Sequence, residues 1–362
     1  MTAAPTETHF EGWLCPDASS IQGNMVWGKY EPKQFTDDDI QMDVRACGIC
    51  MSDLSTMSDG WGKAMRPLVV GHEIVGKVTH VGKNVKGVNV GDRMGVGAQS
   101  DSCLSCSACK ADEEPYCKTG IVGTYNGKFK NGSGPSFGGY AMKWRGPAHF
   151  AVKIPDGLED KIAAPLMCGG ITIFSPLHRY GCGTKDVKKV GIVGIGGIGA
   201  FGIAFAKALG ADTVVAIGHS PNKKDAAFKL GATDYVSTAD GSKELLEKYS
   251  KELDLIVNTA NHTTQDYASL INCLRPRGHV ISIALPHGPV CPIPIPALVR
   301  TGASIGGSCV GGPKEITYML QVAAEKKPVF MIEERKISDA NAAVVDMEAN
   351  KARFRYVLTG YH

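Results

Sequence analysis

No run of 18 apolar residues occurs anywhere in the 362-residue chain, and a helix that crosses a bilayer needs about 20. The opening Met1-Thr2-Ala3-Ala4-Pro5-Thr6-Glu7 lacks the basic start and apolar segment of a secretory signal. Membrane insertion and secretion are therefore not expected, and a cytoplasmic location is. Charge of either sign is not in surplus: 39 basic residues face 36 acidic ones, well mixed, for a formal net charge of +3. Such a balance offers no grip on nucleic acid or on an anionic membrane surface. The 43% hydrophobic content is enough for two or three domain-sized cores.

What the chain does have is twelve cysteines. With no secretory segment, thiols are expected to serve as metal ligands rather than as disulfides. Cys47 and Cys50, in Cys47-Gly48-Ile49-Cys50-Met51-Ser52-Asp53, precede His72-Glu73 by about twenty residues. A thiolate and an imidazole so spaced, each closely followed by a carboxylate, make the usual start of a three-ligand zinc site with one position open. Cys168 is the candidate third ligand, because it follows an apolar run and opens onto glycines where a helix could begin. A second group, Cys103, Cys106, Cys109 and Cys117, has the spacing C-x2-C-x2-C-x7-C. Four thiolates in one loop can close a tetrahedron with no open position, which is a structural zinc site. A disulfide pair or an iron–sulfur cluster is the weaker reading of the same spacing. Cys15, Cys182, Cys273, Cys291 and Cys309 are expected to be buried small apolar residues.

Short β-branched runs between glycines, at 40–46, 68–70, 74–81 and 90–96, predict a barrel-like β domain. Beyond Cys168 the pattern alternates. Strands are expected at 189–193, 213–217, 234–236, 253–257, 279–285 and 304–309, with helices at 200–209, 223–230 and 266–273 between them. That alternation predicts a doubly wound parallel sheet, hence an α/β chain. Helices at 314–325 and 339–349 and a strand at 353–358 return to the first domain. The boundaries are set at 1–167 with 306–362 for the β-rich domain, the cysteine lobe at 100–118, and 168–305 for the second domain.

The turn Gly194-Ile195-Gly196-Gly197-Ile198-Gly199 follows a buried strand and opens a helix, the context a dinucleotide-binding G-x-G-x-x-G requires. Gly194 is expected to make the turn, Gly196 to let the backbone approach a pyrophosphate, and Gly199 to pack helix against strand. Coenzyme choice is decided at the end of the second strand, where a carboxylate binds the 2′-hydroxyl of NAD and repels a 2′-phosphate. Gly218-His219-Ser220-Pro221-Asn222-Lys223-Lys224 contains no carboxylate, one hydroxyl and two lysines. The expected coenzyme is NADP(H), and Gly218→Asp is expected to turn preference towards NADH by charge repulsion.

These residues resemble the zinc-dependent medium-chain alcohol dehydrogenases, and most closely their NADP-dependent cinnamyl alcohol dehydrogenase branch, over nearly the whole chain. The resemblance implies a GroES-like catalytic domain and a Rossmann cofactor domain. It also implies two zinc ions per chain. Cys50, not Cys47, corresponds to the first catalytic ligand, followed by His72 and Cys168, with Glu73 behind the metal or on it. Asp53 would orient His72, Ser52 would hydrogen-bond the substrate oxygen, and Thr172, Gly197, Ile198, His219, Ser220 and Lys223 would contact the coenzyme. The implied reaction is reversible hydride transfer between an aldehyde and a primary alcohol, with aromatic and medium-chain substrates expected and Trp61 and Tyr125 as pocket candidates. The position five after Cys50, often a relay histidine in that family, is Ser55. Two alternatives are a 1,4-reductase of conjugated carbonyl or iminium compounds and a noncatalytic dinucleotide-binding protein. A homodimer paired along the edge strand 304–309 is expected.

Overall fold

The computed structural model describes residues 5–261, 265–285 and 292–361, which divide into two compact units. Unit one comprises residues 1–168, 311–324 and 332–362; unit two comprises 169–310 and 325–331. Cys168 thus belongs with the β-rich unit. An edge at 305/306 would have cut the strand Ser304–Gly307 in two.

Unit one is built on a mixed sheet whose neighbours run Glu333–Lys336, Tyr356–Thr359, Asp39–Gly48, Ile74–Val81, Arg93–Val96 and Ala151–Lys153, with Lys143–Pro147 also paired to Asp39–Gly48. Nearly every side chain of Asp39–Gly48 is buried, because this strand is flanked by others and covered by the apolar cluster that includes Ile40, Met42, Val44, Ile49, Leu54 and Tyr140. The apolar run 68–70 is buried too but is not a strand. Its carbonyls accept instead from Cys15, Gly138 and Tyr140, so it lies extended between loops with a single bridge to Cys15.

Unit two is an all-parallel sheet in the order Asp234–Ser237, Thr213–Gly218, Lys189–Val193, Leu253–Asn258, Leu274–Ser282, Ser304–Gly307. Numbered along the chain this is 3-2-1-4-5-6, the doubly wound order whose switch point lies between the first and fourth strands. The expected strands and helices are present with shifted ends; helices Lys243–Tyr249 and Ile295–Thr301 add to them. The last strand of the sheet ends at Gly307 rather than 309. Cys15, Cys182 and Cys273 are buried as expected, Cys309 is exposed just past that strand end, and Cys291 lies outside the described residues. Among the described residues no helix is long and apolar enough to cross a membrane.

Candidate active site

Antiparallel pairing brings the two ends of the Cys47–Glu73 segment together. Cys47 pairs with Ile74, and Gly48 N–H donates to the Glu73 carbonyl at 3.0 Å, so Cys50 just past one strand meets His72 and Glu73 just before the next. Gly48 is needed for this approach, since a Cβ there would stand 1.8 Å from Glu73 Oε2. Cys168 arrives in a π-helical turn, Leu166–Gly170, inserted between the α-helices Asp160–Pro165 and Ile171–Arg179. No helix begins at Cys168, then; one runs through it and widens. Pro165 has no N–H to donate at that point, and π turns of this kind recur where a helix presents a functional side chain.

One donor atom each from Cys50, His72, Glu73 and Cys168 falls within 4.8 Å of the other three. All four side chains are buried, with exposures of 6%, 3%, 0% and 7%. Two thiolates, an imidazole and a carboxylate fit zinc. His72 Nε2 and Cys168 Sγ stand 3.1 Å apart, somewhat inside the roughly 3.5 Å that zinc bond lengths imply for a tetrahedron.

Asp53 organises the ring. Its Oδ1 accepts the Nδ1–H of His72 at 2.8 Å and the N–H of Gly71 at 3.2 Å, while Oδ2 accepts from Cys50 N–H at 2.9 Å and from the Tyr140 hydroxyl at 3.4 Å. Because a carboxylate only accepts, Nδ1–H is held towards Asp53, and Nε2 is the nitrogen a metal would take in place of a proton. Burial pulls the His72 imidazole down, but the Asp53 charge outweighs it and holds the group well above its ordinary value. The Cys168 thiol donates to the sulfur of Cys50. That keeps Cys50 well below the usual thiol range against burial, and, together with burial, keeps Cys168 well above it. Zinc binding at such a pair releases the remaining proton.

Sequence reasoning missed Arg355. Its guanidinium is buried, 3.3 Å from Glu73 Oε1, and donates to the Ile49 carbonyl at 3.1 Å. Burial pushes the Glu73 carboxyl up to about 8, with Arg355 opposing it. The signal available was slight: an arginine beside the strand Tyr356–Thr359, which pairs with Asp39–Gly48. Ser52 is half-buried, with its hydroxyl 3.6 Å from Cys50 Sγ. Tyr125 lies with its ring centre 5.5 Å from that of His72, whereas Trp61 is 50% exposed.

The lobe Cys103, Cys106, Cys109 and Cys117 is the second cluster. Sulfur separations are 3.6 Å for Cys106–Cys109 and 3.9 Å for Cys103–Cys109. A tetrahedron with zinc–sulfur bonds of 2.3 Å has edges of about 3.8 Å, so this donor set fits the ion closely. Hydrogen bonds from the Ser105 N–H and hydroxyl and the Cys106 N–H draw the Cys103 thiol down to about 5, and burial raises Cys109 to about 11.

In unit two, the turn Gly194–Gly199 joins strand Lys189–Val193 to helix Gly197–Leu209, with Gly196 as its N-cap. Gly194 has φ +86°, and a Cβ on Gly199 would meet the Gly194 carbonyl at 1.8 Å, so the tight turn requires both. A Cβ on Gly196 would meet nothing within 4 Å, which leaves its backbone open to a pyrophosphate. Gly197 begins this helix with Ile198 in its first turn, and Thr172 is buried in Ile171–Arg179. His219 is exposed, and Ser220 caps the short turn Pro221–Lys223.

Residues 36–156 match the family model for the alcohol dehydrogenase GroES-like domain, and residues 197–325 that for zinc-binding dehydrogenases. The chain is 42% identical to NADP-dependent alcohol dehydrogenase 6 of Saccharomyces cerevisiae, covering 94% of this chain and 96% of the yeast protein. Among solved structures it resembles a cinnamyl alcohol dehydrogenase from Sorghum bicolor, with 33% identity, TM-score 0.88 and 97% of each chain covered. It also resembles a CAD from Helicobacter pylori complexed with NADP(H), with 27% identity, TM-score 0.85 and coverage of 97% and 98%.

Proposed function

The chain belongs to the zinc-binding alcohol dehydrogenase family, and from that membership we propose that it interconverts aldehydes and primary alcohols with NADP(H). The observation that carries this is the gathering of Cys50, His72, Glu73 and Cys168 into one buried donor set. When bound there, zinc supplies a Lewis acid for the substrate oxygen, and the nicotinamide gives or takes the hydride.

The chain's own groups do the rest. Cys50, His72 and Cys168 hold the metal, and Asp53 fixes the ring of His72 in the orientation and tautomer that suit it. Arg355 lies 3.3 Å from Glu73 and favours its charged form, and Glu73 would stand behind the metal or ligate it. The Ser52 hydroxyl relays the proton of an alcohol, taking it on oxygen as its own proton passes to a neighbouring acceptor, and the reverse transfer delivers a proton to a reduced carbonyl. Cys103, Cys106, Cys109 and Cys117 brace their loop around a second zinc. At the other unit, Gly194 to Gly199 receive the pyrophosphate, and Thr172 serves the nicotinamide end. His219, Ser220 and Lys223, with no carboxylate among 218–224, favour the 2′-phosphate. The yeast and H. pylori relatives named for NADP support that choice.

Aromatic and cinnamyl aldehydes are the substrate class we favour, with Tyr125 beside His72 as one wall. We place the working enzyme in the reducing cytoplasm, where thiolate ligands persist, and as a homodimer. Oxidation of NADPH against cinnamaldehyde, benzaldehyde and medium-chain aliphatic aldehydes, with the products identified, tests the reading. Cinnamyl alcohol from cinnamaldehyde is expected. A saturated aldehyde instead would overturn carbonyl reduction in favour of conjugate reduction.

A further inference from the structure

A Cβ built on Gly218 would stand 2.0 Å from the hydroxyl oxygen of Tyr235 and 2.8 Å from its Cζ. Non-bonded heavy atoms do not approach so closely, so a side chain at 218 and the Tyr235 hydroxyl exclude one another. Tyr235 belongs to the neighbouring strand Asp234–Ser237, is 5% exposed, and donates from its hydroxyl to the Ser220 carbonyl at 2.5 Å. Two more residues from the same strand end act alike. Ser237 Oγ donates to the His219 carbonyl at 3.2 Å, and Thr238 donates to Gly218 O from N–H at 2.8 Å and from its hydroxyl at 3.3 Å.

Three consecutive carbonyls, those of 218, 219 and 220, are therefore tied to donors on one strand and the residue just after it. A carbonyl oxygen is a partial negative charge, and an acceptor turned towards a phosphate repels it. Engaging all three leaves the loop to offer its hydroxyl and lysines. The Tyr235 bond also fixes Ser220 at the head of Pro221–Lys223, the turn that leads to Lys223 and Lys224.

We infer that Tyr235 is a positioning residue for coenzyme choice: its hydroxyl fills the space that the first side-chain carbon at 218 would need, and it holds Ser220 for a 2′-phosphate. This rests on the NADP(H) reading. It also corrects the simple expectation for Gly218→Asp, which displaces Tyr235 before its charge can act on any ligand.

Calorimetric titration of the zinc-loaded full chain with adenosine 2′,5′-bisphosphate and with 5′-AMP tests the inference without turnover. Wild type is expected to bind the bisphosphate more tightly. Tyr235→Phe, which keeps the ring, is expected to weaken the bisphosphate about tenfold, the scale of one hydrogen bond, and to leave 5′-AMP within about twofold. Gly218→Ala should reproduce that selective loss by pushing the hydroxyl away. The double variant should be no worse than either single, since both act through one contact. If Tyr235→Phe keeps both affinities, or loses both equally, Tyr235 is packing and the inference fails while the NADP(H) reading stands. A wild type that binds the two ligands equally would overturn the NADP(H) reading, and this inference with it.

Discussion

Arg355 and Glu73 form a pair in which neither charge can reach water. Breaking a buried pair from one side leaves an uncompensated charge and costs about 3–5 kcal/mol, more than removing both members. With the Glu73 carboxyl at about 8 the pair is charged above that pH, so at pH 9 Arg355→Gln is expected to unfold at clearly lower denaturant than wild type, and Glu73→Gln/Arg355→Gln to recover much of the loss. Equal midpoints for Arg355→Gln and wild type would show that Glu73 is held neutral. Proton movement is argued at the same scale. Ser55 sits half-buried on helix Met51–Met57, three residues beyond Ser52. A serine hydroxyl only passes a proton along, whereas a histidine of ordinary pKa near 6.5 accepts one at pH 7. Ser55→His is expected to speed alcohol oxidation near neutral pH more than aldehyde reduction. Ser52→Ala should depress both directions by ~10²- to 10⁴-fold. An unchanged oxidation profile in Ser55→His, read from rates between pH 6 and 9, would place the relay elsewhere.

At the scale of elements, the two metal sites differ in how visibly the sequence announces them. The lobe is four cysteines within fifteen positions, and local spacing alone predicts a closed donor set. The other site draws on two strand ends and a π turn, of which the sequence displays only the Gly71-His72-Glu73 string and its distance from Cys50. The π turn left no trace because every residue of 163–177 is buried, so no change of exposed face marks the extra residue. The run 68–70 misled because burial and β-branching mark an extended buried segment as well as a strand. Elemental analysis should find two zinc ions per chain. Cys106→Ser should remove one and lower thermal stability while the remaining zinc stays; Cys168→Ser should remove the other and abolish turnover. Retention of both ions by either variant would count against the assignments.

For the whole molecule, the alternation of strands and helices beyond Cys168 was enough to foresee the doubly wound sheet. Partners distant in sequence were not foreseeable. Arg355 is separated from Glu73 by nearly three hundred residues, and Tyr235 from Gly218 by a helix, and no local pattern marks either meeting. Association belongs to this scale too. Strand Ser304–Gly307 has the neighbour Leu274–Ser282 on one side and no other among the described residues, and exposed Val299 and Ile295 lie on the preceding helix. An open strand edge beside apolar surface favours pairing with a second copy. Light scattering at micromolar concentration is expected to give twice the chain mass. A monomer there would refute the pairing.

The strand Tyr356–Thr359 completes the sheet beside Asp39–Gly48, with Val357 against Gly48 and Leu358 against Cys47. Ribosomes deliver a chain in order, so Cys50, His72, Glu73 and Cys168 all emerge well before Arg355 does. A growing polypeptide can thus gather every donor for the metal while the cation that neutralises Glu73 has yet to be made. The order of the donors along the chain allows zinc capture to precede completion of the site.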